Sequence, residues 1–448
     1  MKKVITYGTF DMLHHGHLNL LMRAKALGDY LIVGVTTENY DRARGKLNVQ
    51  KSCVERVTDI YNTGLADKII IEEYEGQKID DIQRYEVDIF AIGSDWKGKF
   101  DYLKEYCEVV YIERTKGISS TQIRNESRRL INLGIIGSGR IAHRFVPESK
   151  YVSGINVAGV FNPNLSSAKR FCEVHELNFY TDKISEFYKK VDAVYIASPH
   201  QTHGGYIKDA LENNLHVLCE KPMTLNSQEA RELYTLAHNK NLILMEGIKT
   251  AYAPAFQQLL ALVKSGAIGV VKDIDASFTK LVNIESRELS DTNAGGSITE
   301  LASYTLLPII KIFGIDYKDV QFYSFKKNNI DHFTRGFIQY NSGIASFKVG
   351  LGVKTEGELV ISGTKGYAYV PAPWWKTEYF ELRYEDLNKT MKFFNKFEGD
   401  GLRYEISEFL SYINRNKGNS HKLNCKESTA IISIIEKFTQ GFGIKIIN

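Results

Sequence analysis

The chain has 448 residues, 43% hydrophobic and 25% charged, with 57 Lys and Arg against 53 Asp and Glu. That length is too great for one core and points to about three folding units, and the composition excludes a disordered, collagenous or coiled-coil protein. Residues 1–130 carry 20 basic and 20 acidic side chains and the remainder 37 and 33, which excludes the strong basic excess of a nucleic-acid binder.

No apolar run reaches the roughly 18 residues of a membrane span; the longest, Leu301 to Ile315, is broken by Ser303, Pro308 and Lys311. Turn residues follow Met1-Lys2-Lys3 too soon for a signal peptide, so the cytoplasm is the expected location and no membrane partner is expected. The five cysteines (53, 107, 172, 219, 425) stand far apart with no Cys-x-x-Cys. They read as reduced structural thiols, with neither a disulfide frame nor a protein-built metal site.

In chain order, the pattern predicts strands at Lys3–Tyr7, Tyr30–Thr36, Lys68–Ile71, Asp88–Ile92 and Val109–Ile112, with helices at Gly16–Gly28, Cys53–Thr63 and Lys78–Arg84. Short Val/Ile-rich runs alternating with helices imply a parallel sheet with crossover connections. At Leu130–Ile136 the chain starts over with a second buried strand. Strands near 156–161, 193–197, 216–219 and 242–246 follow, with helical patterns between them. After about residue 250, longer Thr/Tyr/Phe-rich runs (270–282, 319–325, 333–340, 344–351, 357–362, 367–370) predict a mostly antiparallel sheet, and helical spacing returns from Tyr404. The expected class is α/β, in three parts: a doubly wound Rossmann-like domain over 1–128, a dinucleotide-binding Rossmann domain over 129–250, and an α+β open-sheet domain with C-terminal helices over 251–448.

Chemistry concentrates first at Gly8-Thr9-Phe10-Asp11-Met12-Leu13-His14-His15-Gly16-His17, where the first strand gives way to the first helix. Amides at a helix start form an anion site. Gly16 allows a close backbone turn, and the spacing of His14 and His17 lets both imidazoles face one phosphate. A His-rich helix cap is the bland alternative. This string resembles the HxGH signature of the nucleotidyltransferase superfamily, and Arg114-Thr115-Lys116-Gly117-Ile118-Ser119-Ser120-Thr121 is similar to its second signature. Gly93-Ser94-Asp95-Trp96-Lys97-Gly98-Lys99-Phe100-Asp101 narrows the resemblance to glycerol-3-phosphate cytidylyltransferases.

The resemblance implies attack of an acceptor phosphate oxygen on the α-phosphorus of CTP, with Mg²⁺ carried largely by the triphosphate. It implies that His14 and His17 stabilise the transferring group and that Lys46 holds the leaving phosphates, although a solvated lysine is an equal reading of Lys46. Arg114 would neutralise phosphate, and Ser119 and Thr121 would donate hydrogen bonds. Gly8, Thr9, Phe10, Asp11, Gly16 and Asp95 would complete the nucleotide site. One departure bears on the acceptor: where the family has Arg-Tyr-x-Asp, this chain has Gly64-Leu65-Ala66-Asp67.

The second concentration begins at Gly137-Ser138-Gly139-Arg140-Ile141-Ala142, a GxGxxA string after a predicted strand. Gly137, Gly139 and Ala142 meet the needs of a tight turn, close pyrophosphate approach and helix–sheet packing. Asn162 stands where an acidic residue would grip the ribose diol, which inclines the expectation towards NAD over NADP without deciding it. Ala197-Ser198-Pro199-His200-Gln201-Thr202-His203 and Cys219-Glu220-Lys221-Pro222 end the following strands. Together these resemble the glucose–fructose oxidoreductase/inositol dehydrogenase family.

That resemblance implies a proton-donating Lys221 assisted by Tyr304, cofactor contacts from Ser198, His203 and Glu220, and substrate contacts from Lys249 and Glu300. His203 reads equally as a satisfied structural histidine. The combined expectation is a bifunctional enzyme acting on CTP, a small phosphorylated polyol and a nicotinamide cofactor, with homo-oligomers implied by both families. The alternatives are a non-catalytic NAD-binding or oligomerisation module in the second part, and adenylyl rather than cytidylyl transfer in the first.

Overall fold

The computed structural model describes residues 1–47, 49, 51, 53–113, 130–415 and 420–447. Arg114, Ser119 and Thr121, and the expected boundary near 129, lie outside the described residues. By internal contacts the chain falls into two compact units, Met1–Ile131 with Ser149–Asn156, and Asn132–Glu148 with Val157–Asn448. The expected dinucleotide-binding and open-sheet parts thus belong to one unit.

The first unit is built on β1 (Lys3–Gly8), β2 (Tyr30–Thr36), β3 (Lys68–Glu72), β4 (Ile89–Gly93) and β5 (Glu108–Ile112). All pair in parallel, in the order β3-β2-β1-β4-β5. The runs are apolar on both faces because helices cover both sides. Val4, Leu31, Val33 and Ile89 pack on one face, and Ile5, Ile32, Phe90 and Ile92 on the other. The order reverses between β1 and β4, so the loops after those strands diverge and leave a crevice at the carboxyl end of the sheet.

The second unit repeats this logic with β6 (Ile131–Ile136), β7 (Ile155–Phe161), β8 (Phe179–Thr181), β9 (Ala193–Ile196), β10 (His216–Glu220) and β11 (Leu244–Gly247). Their order is β11-β10-β9-β6-β7-β8, with the reversal between β6 and β9. A larger sheet follows: β12 (Val271–Thr279), β13 (Asp319–Lys327), β14 (Ile330–Gln339), β15 (Ile344–Gly350), β16 (Leu359–Gly363), β17 (Tyr367–Val370), β18 (Tyr379–Arg383), β19 (Met391–Phe394) and β20 (Ile444–Ile447). Its order is β19-β18-β17-β16-β12-β15-β14-β13-β20. It is antiparallel except at two seams, β12 with β15 and β13 with β20. Helix Ser297–Phe313 packs on β12, β14 and β15 and carries Glu300 and Tyr304.

The five cysteines are free thiols. No helix among the described residues is long and apolar enough to cross a membrane.

Candidate functional sites

The first site is built at the crevice between β1 and β4. His14 is the N-cap of helix His15–Lys25, its Nδ1 accepting the Gly16 amide at 3.1 Å. A side chain on Gly16 would stand 3.0 Å from His14 Cε1, so glycine lets the ring lie back over the helix start. The rings of His14 and His17 stack at 3.8 Å, and Phe10 meets His17 edge-on at 5.4 Å. Phe10 is buried against the end of β1, where a side chain on Gly8 would meet its ring at 2.9 Å. Phe10 and Met12 hold positive φ angles of 52° and 48°, backbone strain of on the order of 1 kcal/mol each that the surrounding packing must fix.

His17 Nδ1 is buried without a hydrogen-bond partner among the described residues. Burial, then the neighbouring His14 and Lys46, push the His17 pKa well down, so the resting ring is neutral and carries one N–H. Lys46 is pushed down to about 8 by burial and by Arg44, against the pull of Asp41 and Asp11. Asp11 is buried and accepts the Lys51 amide at 2.9 Å, which makes it a loop fastener. Asp95 is the middle residue of the short turn Ser94–Trp96 after β4, on the other lip of the crevice.

A buried network that the sequence reading did not single out holds this loop. Thr9 donates to Asp41 at 2.9 Å and accepts from Arg44 at 3.1 Å. Asp41 also accepts Thr36 at 2.7 Å and Arg44 at 2.8 Å. Arg56, wholly buried, donates to the carbonyls of Thr9 and Thr36 at 2.8 Å and lies 3.6 Å from Asp41. Removing one partner of a buried pair costs more than the pair contributes, because the other charge is stranded. Arg56→Met is therefore expected to destabilise the first unit by about 3 kcal/mol, read as an earlier urea unfolding transition of the full chain.

The second site lies at the carboxyl end of the six-stranded sheet. Gly137 has φ 98° and a side chain there would strike the Ala197 carbonyl at 2.8 Å, whereas Gly139 faces open space, its nearest neighbour 3.9 Å away. That is the cradle a dinucleotide pyrophosphate requires, and buried Ala142 packs the following helix onto the sheet. Asn162 donates to Ser138 Oγ at 2.8 Å, and its carbonyl oxygen takes the Asn164 amide at 2.9 Å. Ser198, after β9, shares a 2.7 Å hydrogen bond with Thr202.

Lys221 follows β10 and donates to the Glu300 carbonyl at 2.8 Å; its Nζ stands 5.7 Å from the Tyr304 ring. Burial, then the charges of Glu220, Glu405 and Glu300, raise the Tyr304 phenol far above its usual range, so it remains a proton donor. The Glu300 carboxylate is taken by Arg287 at 2.6 Å and lies 3.9 Å from both Lys221 and His200. It thus sets the charge around Lys221, with one of its two oxygens taken by Arg287.

His203 is buried with its ring nitrogens 2.9 Å from the Ser198 and Pro222 carbonyls. It ties together the two strand-end turns, with both ring nitrogens at backbone carbonyls. The neighbouring His200, which the sequence reading passed over, is pushed down to about 2 by burial and Lys221, and its Nδ1 is unpartnered near Glu300.

Glu220 accepts the Tyr195 hydroxyl at 2.6 Å. Lys249 is buried and donates to the Asp400 carbonyl at 2.6 Å, so as placed it is satisfied by the chain itself. Two further buried carboxyls complete this end of the sheet. Glu246 accepts the Met223 amide at 3.0 Å and is pushed up to about 7 by burial. Glu405 is wholly buried with both oxygens unpartnered among the described residues. Burial, then Glu220, raise it well above the carboxylate range.

A family model described as cytidylyltransferase-like matches residues 5–126, and one described as oxidoreductase family, NAD-binding Rossmann fold, matches residues 131–248. The chain is 52% identical over 130 residues to a glycerol-3-phosphate cytidylyltransferase of Bacillus spizizenii, covering 29% of this chain and all of that protein. It is 27% identical over 328 residues to trans-1,2-dihydrobenzene-1,2-diol dehydrogenase of Bos taurus, covering 69% of this chain and 96% of that one. A 3-ketoreductase from Actinomadura kijaniata, solved with NADP and TDP-benzene, superposes with a TM-score of 0.62 at 19% identity over 71% of this chain and 99% of that one.

Proposed function

We infer that this chain, which belongs to the cytidylyltransferase-like family through residues 5–126 and to the NAD-binding oxidoreductase family through residues 131–248, is a bifunctional enzyme that makes a CDP-polyol. The second unit reduces a phosphorylated carbonyl compound, and the first joins the resulting polyol phosphate to CMP. The observation that carries this reading is the stacked His14–His17 pair at the β1/β4 crevice, in a chain that also holds a glycine cradle and a lysine–tyrosine pair.

In the transferase step an acceptor phosphate oxygen forms a bond to the α-phosphorus of CTP, the bond from that phosphorus to its bridging oxygen breaks, and pyrophosphate leaves. His14 and His17 would donate to the oxygens that gain charge, and Lys46 would follow the departing phosphates. Mg²⁺ would enter with the triphosphate; among the described residues no three His, Cys, Asp or Glu side chains converge into a metal cage. Arg114, Ser119 and Thr121 are assigned to the phosphates by the family signature alone.

In the reductase step the bound nicotinamide would supply hydride to the carbonyl carbon. The chain's part is to hold the cofactor at Gly137, Gly139, Ser198 and Asn162, and to protonate the oxygen from Lys221, with Tyr304 as its neighbouring donor. Such CDP-alcohols are activated precursors of surface polymers, and a homo-oligomer working in the cytoplasm fits this reading. The decisive experiment incubates the full chain with CTP, Mg²⁺, NADH or NADPH and a panel of phosphorylated ketoses and aldoses, and identifies products by mass spectrometry. A CDP-polyol appearing only when all components are present is expected; pyrophosphate release from ATP instead of CTP, or no release with any acceptor, overturns the transferase assignment.

Asn162 favours a second reading of the later unit, as a nucleotide-binding or oligomerisation module, because it offers no charge to the ribose diol. Tight NAD(H) binding without turnover of any carbonyl compound or polyol is the result that would establish it. Asn162→Asp should in either case shift the ratio of dissociation constants towards NAD over NADP by about tenfold, since a carboxylate there repels a 2′-phosphate. Isothermal titration with both cofactors measures it.

A further inference from the structure

Where β11 ends, three cations converge on one aspartate that the hydride chemistry above does not use. Arg144 comes from the helix that begins at Arg140, Lys249 follows β11, and Lys376 ends the turn Trp374–Lys376. Asp400 lies between β19 and helix Leu402–Arg415, flanked by Gly399 and Gly401 at φ 60° and 79°. Its carboxylate stands 3.4 Å from Lys376 and 3.9 Å from Arg144, and its backbone carbonyl accepts Lys249 at 2.6 Å. Thr250 donates to the Trp375 carbonyl at 2.7 Å, which ties the neighbours of Lys249 and Lys376 together.

As an anchor for the loop the cluster is overbuilt. One carboxylate cannot balance three cations, and the partly exposed pairs with Arg144 and Lys376 contribute little stability. Lys249 is the least satisfied member. Only 9% of it is exposed, it uses one of its three N–H donors, and it pairs with no carboxylate among the described residues. Burial pushes its pKa down, and the nearby carboxyls Glu220 and Glu405 are themselves raised by burial, which weakens them as counter-ions. A bound anion would supply the missing charge and acceptors. A phosphate monoester brings close to two negative charges and three oxygens to three donors, whereas a carboxylate would only replace Asp400 like for like. Trp375, next to Lys376, stacks on Phe278 at 3.6 Å, and Phe278 meets Tyr304 at 5.3 Å. That aromatic row leads from the cations to the proton donor, and Tyr304, raised chiefly by burial, feels Arg144 as an opposing charge. A substrate with its anion at the cluster and its carbonyl at Lys221 would lie along the row.

We propose that Arg144, Lys249 and Lys376 form the subsite for the phosphate of the reductase's carbonyl substrate, and that the Asp400 carboxylate occupies it until that phosphate displaces it. This rests on the reductase reading above and adds which end of the substrate the unit grips. The test follows NADH and NADPH oxidation by the full chain with dihydroxyacetone phosphate and ribulose 5-phosphate, each beside its unphosphorylated counterpart. The phosphorylated form is expected to have the higher kcat/KM by about 100-fold. Lys249→Met, and separately Arg144→Gln/Lys376→Gln, are expected to narrow that ratio by about tenfold. Asp400→Asn removes the competing charge and keeps the shape, so it is expected to lower KM for the phosphorylated compound by about threefold.

The Arg144→Gln/Lys376→Gln pair alters only partly exposed side chains, so it carries the test if Lys249→Met fails to fold, and a urea transition reports the fold of each variant. Equal kcat/KM with and without phosphate, an unchanged ratio in the folded cation variants, or an unchanged or raised KM in Asp400→Asn overturns the subsite while leaving the reductase standing. Weaker binding of NADH and NADPH with the ratio intact gives the cluster to the cofactor and overturns the subsite as well. No oxidation of either cofactor by the unaltered chain with any carbonyl compound overturns the reductase reading and the subsite together.

Discussion

His17→Ala is expected to lower kcat for pyrophosphate release from CTP by about 10³-fold, with the dissociation constant for CTP changed less than tenfold. Deleting one donor aimed at developing charge costs roughly 10² to 10³ in rate. Here the deleted ring also separates Phe10 from His14, so the stacked partner loses its register. On the proposed reading the ground-state nucleotide would still be held by the helix amides and Lys46, which would confine the loss to the chemical step. His14→Ala should lose as much rate and, because it removes the N-cap acceptor for Gly16, about 1 kcal/mol of helix stability as well. Quenched-flow measurement of pyrophosphate, alongside CTP titration, separates the two terms; equal losses in binding and rate would show that the pair serves ground-state binding only.

The second large effect is expected at the other site. Lys221→Met should reduce carbonyl reduction by about 10³-fold, the scale of a lost general acid. Cytidylyl transfer should stay within twofold. The ammonium is held by the Glu300 carbonyl on one side and faces the Tyr304 ring on the other. Tyr304→Phe removes a single hydroxyl and leaves Lys221 seated; a loss nearer tenfold is expected. Stopped-flow absorbance of the nicotinamide reads both, and wild-type rates in Lys221→Met would sink the assignment of this lysine.

Much of this organisation is legible in the residues themselves. Uninterrupted Val/Ile runs separated by helical spacing identify the parallel sheets, since only strands covered on both faces can be so uniformly apolar. The His14–His17 string and the 137–142 turn announce themselves because glycines and imidazoles at a strand-to-helix junction serve few purposes besides anions. Pairing partners were less visible. The runs after residue 250 read as antiparallel, yet β12 lies parallel to β15, and β20 returns after two helices to the edge of β13. Register between distant strands is a property of tertiary packing, and nothing local encodes it.

Buried charges were the other blind spot. Arg56 and Glu405 sit in helices whose spacing reads as ordinary surface amphipathicity, and only docking decides that a charged position faces inward. His200 and His203 share one turn of sequence. Only the carbonyls around the second ring show that it is the fastener and that its neighbour stands beside Lys221 and Glu300.

The parallel seam between β12 and β15 has a kinetic consequence. Asp273–Thr279 and Ile344–Gly350 run in the same direction, so no reverse turn can bring them together. About 65 residues must be spanned before the first cross-strand hydrogen bond forms, an entropic barrier that a tight hairpin such as β13–β14 avoids. On the ribosome, the amides of β12 wait unpaired along that side while the intervening helix and hairpin are synthesised. Closure of this seam is expected to slow maturation of the second unit, and expression at lower temperature or with chaperones should raise the yield of folded chain.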